Sequence, residues 1–201
     1  METRLIEKLS KLAGIILSGK TRIESDLLGE KEIPNEFYFG IQTLRAIENF
    51  DFSKTTIRDF PYFVRSLAEV KKAAAIANKA VGLMNEDICN AICKACDEII
   101  EGKFHENFLV DLIQGGAGTS TNMCANEVIA NRALEHLGRS KGEFKYCSPN
   151  DHVNLAQSTN DAYPTSIHIA MLYYNNDVIA SLKELVVAFR KKAIEFKDIV
   201  K

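Results

Sequence analysis

Apolar residues recur at Leu5, Leu9, Leu12 and Ile16, with Ile6, Ala13 and Leu17 beside them. This is the spacing of one helix face, and it predicts an amphipathic helix ending near Gly19. Gly29 and Pro34 then punctuate short segments, and Leu27–Gly40 predicts a small hairpin followed by a turn. The helical period returns from Tyr62 to Gly82. Asn85 is placed to cap the next helix, with Glu86 and Asp87 in its first turn, where the helix dipole favours acids. Gly102 is placed to end it. Residues 104–114 are mixed and ambiguous between strand and helix. Gly115–Thr121 forms a glycine-hydroxyl loop that opens a helix running to Leu137 and stopped by Gly138. Residues 142–160 read as irregular, and residues 161–201 as one continuous helix.

That last segment carries a long apolar seam: Ile167, Met171, Tyr174, Val178, Leu182, Leu185, Phe189, Ala193, Phe196 and Val200. Its steps of 4, 3, 4, 4, 3, 4, 4, 3, 4 repeat every 11 residues. Eleven residues in three turns is close to a straight helix and unlike a left-handed coiled coil. At roughly 1.5 Å per residue such a helix is about 60 Å long. One 201-residue globule is too small to cover the stripe, and no stop signal precedes Lys201. The expectation is that the chain is part of a longer domain, or that the helix packs against other subunits, or both.

Composition narrows the class. Charged residues make up 26% and hydrophobic ones 46%, which excludes a wholly disordered chain. The net charge of −2 lacks the basic excess of a nucleic-acid binder. No apolar run is long enough to span a bilayer, and Glu7, Lys8 and Lys11 break any export-signal pattern. Five cysteines cannot all pair within the chain, so they read as reduced thiols of a cytoplasmic protein.

Three constellations could carry chemistry. The first, Gly115-Gly116-Ala117-Gly118-Thr119-Ser120-Thr121-Asn122, opens a helix, so unpaired N–H groups and hydroxyl donors face whatever sits there. That suits an anion. It is neither a P-loop, since no Gly-Lys-Ser/Thr follows, nor a full dinucleotide fingerprint, since Thr121 replaces the third glycine. The second, Gln157-Ser158-Thr159-Asn160-Asp161, again places neutral donors at a helix start; alone it reads first as a cap. Together the two loops could hold both ends of a small dicarboxylate without lysine or arginine, and steady charge that develops during reaction. The third, Cys89-x-x-x-Cys93-x-x-Cys96, has the spacing of an iron–sulfur motif, but lies on one face of a helix beside Ile92 and Ile100, where buried cysteines are ordinary. His105, His136, His152 and His168 show no metal-ligand spacing; His152, in the polar approach to Ser158, is the one candidate among them.

At the two loops the sequence resembles a known family. GAGTSTNMCANEVIANRALE and PNDHVNLAQSTNDAYPTSIHIA are similar to the aspartase/fumarase superfamily, and RIESDLLGEKEIPNEFYFGIQTLRAIENF looks like the start of its ammonia-lyase branch. The resemblance covers Thr21 to Lys201 and leaves residues 1–20 outside. It implies a mainly α protein: an N-terminal helical domain with a small hairpin over residues 21–157, then the first long helix of a central helix bundle over 158–201. It implies a homotetramer whose active sites are each shared by three subunits, and reversible anti elimination of ammonia from L-aspartate to give fumarate. Carried over by position, Thr119 matches the threonine touching the amino group and reacting carboxylate, Ser158 and Thr159 the donors to that carboxylate, and Asn160 the asparagine near the leaving amine. The family's serine base, substrate lysine and Thr-His pair are expected beyond Lys201, so this chain alone is expected to be inactive. No cofactor is implied as a requirement, and divalent-metal activation is left open. Ser148 stands where relatives often carry histidine or asparagine beside a second anion site, which puts that site in doubt here. Hydration of fumarate to L-malate, or a non-catalytic helical assembly module, are the alternatives.

Overall fold

The computed structural model describes residues 2–200, with side chains from Leu5 onward. Helix α1 (Glu2–Ala13) lays Leu9 and Ala13 into the body. It is held there by the Lys8–Asp51 ion pair at 2.8 Å and by the Arg58 guanidinium donating to the Leu12 carbonyl. It ends earlier than the hydrophobic spacing predicts. Gly14 takes a φ of +69° and stops the helix, so Ile16 lies outside it and is exposed.

Strands β1 (Thr21–Asp26) and β2 (Gly29–Pro34) form the predicted hairpin, paired from Thr21–Pro34 to Asp26–Gly29. The turn is Leu27–Leu28, so β1 lies ahead of the stretch expected to contain both strands. The Asp26 carboxylate fixes this turn by accepting the Leu28 N–H at 2.8 Å. Helix α2 (Ile41–Asn49) occupies a stretch for which the hydrophobic pattern marks no element. Its cap, Gly40, has no side chain to offer. Two distant carboxylates take that role: Glu24 accepts the Ile41 N–H, and Glu127 accepts the N–H groups of Gly40, Gln42 and Thr43.

Helices α3 (Pro61–Ala80), α4 (Glu86–Ile100) and α5 (Thr119–His136) build the core, with α3 packed on both α4 and the start of α6 (Thr159–Glu195). Their starts follow local chemistry. Pro61 occupies the first turn of α3, and the Asn85 side chain accepts the Asp87 N–H at 2.7 Å. Leu67, Ile92, Ile99, Ile129 and Leu134 are fully buried where these helices meet. Residues 104–114, ambiguous by period, hold a short helical turn at His105–Asn107 and a bridge pairing Thr56 with Asp111. Residues 142–158 are irregular apart from a wide helical turn at Pro149–Val153.

Helix α6 has 37 residues, about 55 Å at 1.5 Å each. It starts two residues before the expected position and stops at Glu195 rather than running on. Beyond that point the chain tightens into turns in which Ile199 N–H bonds back to Phe196. Lys201, its expected end, lies outside the described residues. Ala162, Ser166 and Ala170 are buried against the body, while every residue from Asn175 to Val200 is exposed. The seam thus projects uncovered from the chain. Among the described residues no helix is long and apolar enough to cross a membrane.

Candidate functional site

The mouth of α5 is built by three devices. Asp111 anchors the approach: its carboxylate accepts N–H groups from Phe52, Ser53 and Ile113 and the Ser53 hydroxyl. Burial pushes against the charge, yet these bonds hold the Asp111 carboxyl below its usual range. Gln114 then clamps the first turn, accepting the Thr121 N–H at 2.9 Å and donating to the Thr121 hydroxyl at 2.7 Å. Gly118, at φ +88°, makes the entry; a Cβ there would fall inside the Tyr163 ring. Helix geometry leaves the Thr119 and Ser120 N–H groups directed out of this end, beside the exposed Thr119 hydroxyl.

The mouth of α6 is capped by its own residues. Ser158 Oγ accepts the Asn160 N–H at 3.2 Å, and the Asp161 carboxylate accepts the Ser158 N–H at 3.1 Å. The cap reading of this loop is therefore correct. It does not exclude the donor reading, because a hydroxyl that accepts still has its own proton to give. Ser158 and Asn160 are exposed, and Thr159 is half-buried.

The two mouths are adjacent. The Asn122 side-chain amide, one turn into α5, donates to Thr159 Oγ1 at 3.2 Å, and Gly118 lies against Tyr163 of α6. The structure thus brings Thr119, Ser158, Thr159 and Asn160 to one side of the molecule. Beneath them lies a polar layer that motif reading missed. Asn122 also donates to Asn154 Oδ1 at 3.1 Å, and Lys71 Nζ donates to Asn154 Oδ1 at 2.9 Å and Gln157 Oε1 at 3.0 Å. Lys71 is fully buried, and burial pushes its ammonium down to about 7, against the favourable charge of Asp161. The donor cluster is therefore not free of lysine, as expected, but rests on one. A signal was present in the sequence: Lys71 and Asn78 fall in helical step with Leu67 and Ala75, on the buried face of α3.

The remaining candidates sit elsewhere. Cys89 and Cys96 are buried inside an unbroken α4, and Cys93 is half-buried with its sulfur 4.0 Å from that of Cys89. Burial pushes the Cys93 thiol up to about 11 and Cys96 well above its ordinary value, which disfavours the thiolate a cluster needs. His152 Nδ1 accepts the Ser148 N–H at 2.8 Å, and His105 meets the Ile99 carbonyl. His136 meets the Glu98 carboxylate at 3.1 Å, and His168 is exposed. The Ser148 hydroxyl is occupied within its own turn, accepting from Asn150 and Asp151 N–H groups and donating to Asp151. The cleft at Ser148 is also lined by Asp26 and Glu127, a poor setting for an anion.

A family model described as Lyase matches residues 29–201. The chain belongs to this lyase family. The aspartate ammonia-lyase of Helicobacter pylori is 54% identical over 180 residues, covering 90% of this chain and 38% of that relative. A crystal structure described as fumarate lyase:delta crystallin from Brucella melitensis superposes with a TM-score of 0.88 at 54% identity, over 90% of this chain and 42% of that one. A class II fumarase from Schistosoma mansoni is more distant, with a TM-score of 0.71 at 38% identity, over 75% of this chain and 32% of that one. The chain thus corresponds to the N-terminal portion of longer lyases and spans about 38% of the length of the curated relatives it matches. Helix α1 lies ahead of the part matched by the lyase model.

Proposed function

We propose that this chain supplies the carboxylate-gripping part of an ammonia-lyase that reversibly eliminates ammonia from L-aspartate to give fumarate. The observation that carries the reading is the meeting of two donor-rich helix mouths, tied by the Asn122–Thr159 bond. Elimination starts with loss of a proton beside a carboxylate, which then bears two negative charges in an aci-form. Neutral donors fixed at helix N-termini favour that developing charge without holding the ground state too tightly. In this scheme Thr119 contacts the amino group and the reacting carboxylate. Ser158 and Thr159 donate to that carboxylate, and Asn160 sits near the leaving amine. The greater likeness to an aspartate ammonia-lyase than to a fumarase favours ammonia over water as the leaving group.

The residues gathered at the two mouths are hydroxyls and amides, and the one carboxylate there, Asp161, is engaged in the cap. The proton-abstracting serine implied by the family resemblance is proposed to come from outside this chain. Residues 21–157 form the first domain of the enzyme and residues 158–201 begin its helix bundle. The uncovered seam of α6 is the surface through which the long protein forms a homotetramer. The five free cysteines and the absence, among the described residues, of a membrane-length apolar helix suit the cytoplasm. No cofactor is required in this reading and divalent-metal activation is left open: with no metal involved, a chelator leaves dicarboxylate binding unchanged, and weaker binding after chelation would point to activation.

The test is to assay a longer protein containing this chain with L-aspartate and with L-malate, following fumarate by ultraviolet absorbance. Fumarate from L-aspartate is expected; turnover of L-malate alone would transfer the reading to the hydratase class. In that protein Thr119→Ala or Ser158→Ala is expected to lower kcat by a factor corresponding to about 2.7–4 kcal/mol. Rates within threefold of the parent would remove the assigned roles. The 201-residue chain alone is expected to form no fumarate.

A further inference from the structure

Lys71 presents a problem that packing does not solve. It is fully buried on α3, and among the described residues no carboxylate lies within ion-pair distance of it. Its ammonium has three protons to donate and finds two acceptors, Asn154 Oδ1 and Gln157 Oε1. One step away, Asn122 Oδ1 is buried with no hydrogen-bond partner. An unpaired charge in such a place is costly, and an apolar residue of similar length would pack there at lower cost.

Its connections run toward the candidate site. Lys71 Nζ, Asn154 Oδ1, Asn122 Nδ2 and Thr159 Oγ1 are joined by steps of 2.9, 3.1 and 3.2 Å. Gln157, the other acceptor, immediately precedes Ser158, and its own amide is pinned to the carbonyls of Val153 and Leu155. Lys71 therefore holds both the backbone leading into the α6 mouth and, through two asparagines, the hydroxyl of Thr159.

We propose that Lys71 is the buried cation of the dicarboxylate site, a positioning residue that sets Thr159 and Ser158 and whose positive charge is balanced only when a dianion binds above it. This rests on the dicarboxylate reading of the site. The groups facing Lys71 fit the role. From α6 Asp161 favours the ammonium, and from α4 Cys96 is held as a neutral thiol. Asn122, Asn154 and Gln157 carry no charge. With its proton given up near neutrality when the site is empty, Lys71 links binding to pH. A dianion that prefers the ammonium form must hold the proton on it, and binding must weaken as pH rises.

The experiment uses a longer protein containing this chain, the form in which the shared site is complete, with succinate as probe. Lysine side-chain signals are followed by NMR from pH 6 to 9, with and without succinate, and calorimetry gives the affinity. Lys71 is expected to titrate near neutrality, the Asn122 side-chain amide to move with it, and succinate to raise the midpoint. Succinate affinity is expected to fall about fivefold or more across the range. Lys71→Arg, which keeps a charge that does not titrate, is expected to bind with no pH dependence, and Lys71→Met to bind weakly at every pH. If Lys71→Met does not fold, the midpoint shift in the parent chain and the flat profile of Lys71→Arg still decide. Succinate-induced shifts at Ser158 and Thr159 with an unmoved Lys71 midpoint would overturn the proposal and leave the dicarboxylate site standing. No response to succinate at any pH, with Asn122 still following Lys71, would instead overturn the dicarboxylate reading.

Discussion

Helix α5 carries Asn122, Asn126, Glu127 and Asn131, and all four are buried; outer α6 carries Val178, Ile179, Leu182, Leu185, Val186 and Phe189, and each is at least 40% exposed. Polarity and burial are inverted between the two helices, and the reason is what surrounds each. The polar side chains of α5 serve as partners for other segments. Glu127 caps α2, Asn131 donates to the Tyr38 carbonyl and accepts the Gly142 N–H, and Asn122 joins the α6 mouth. Glu127, Asn131 and the Asn122 amide offset their burial with these hydrogen bonds, while Asn122 Oδ1 and Asn126 Oδ1 are buried without a partner. The apolar side chains of outer α6 have nothing in this chain to pack on. Helix period marks which residues share a face; only the neighbours decide whether that face is covered.

The sharpest way to break this comparison is to make the same truncation in both helices. Leu134→Ala, at a fully buried site in α5, is expected to cost about 2–5 kcal/mol in denaturant unfolding of the chain. Leu182→Ala, on outer α6, is expected to stay within about 0.5 kcal/mol. Equal losses would mean that the seam is covered in solution. Next in size, Asn131→Ala leaves a carbonyl and an N–H without partners and is expected to cost about 1–3 kcal/mol. A neutral result would show that α5 tolerates its polar residues rather than using them.

Acid supplies a third test. Hydrogen bonds from Arg132, backed by His136, hold the Glu98 carboxyl down to about 2, against burial. A carboxyl depressed below its unfolded value stabilises the fold above that value, so this contribution is present above about pH 4.5 and lost as pH falls toward 2. The melting temperature of the body is expected to drop over that window, and Glu98→Gln to flatten the drop. Outer α6 has only exposed ion pairs such as Lys192–Glu195, and its helicity is expected to show no matching acid step. The smallest effect on folding is expected from Leu182→Glu with Phe189→Glu. Body stability should be nearly unchanged, while any self-association seen by analytical ultracentrifugation should disappear. Association that survives both changes would separate the seam from assembly.

Legibility followed the range of the interaction that decides each feature. Helices α3, α4 and α5 are readable because the apolar period beginning at Tyr62 is unbroken and because Asn85, Gly102 and Gly138 act within a turn of their own positions. The end of α1 was misplaced because the apolar period continues past Gly14, and only the backbone shows that this glycine turns left-handed. Helix α2 escaped notice because its caps lie 17 and 84 residues away. The two donor loops were legible as motifs, and a specific family likeness strengthened them. Their supports were not: Lys71 meets Asn154 across 83 residues, and nothing near it in sequence says that its partners are amides rather than water.

The Tyr163 ring of α6 packs directly on Gly118 at the α5 mouth, and Phe63 meets that ring edge-on at 5.6 Å. The thickness of one phenol therefore helps set the spacing of the two helix mouths. Under the proposed dicarboxylate reading, side chains of other widths at position 163 would reset that spacing, and with it the length of diacid that could bridge from one helix to the next.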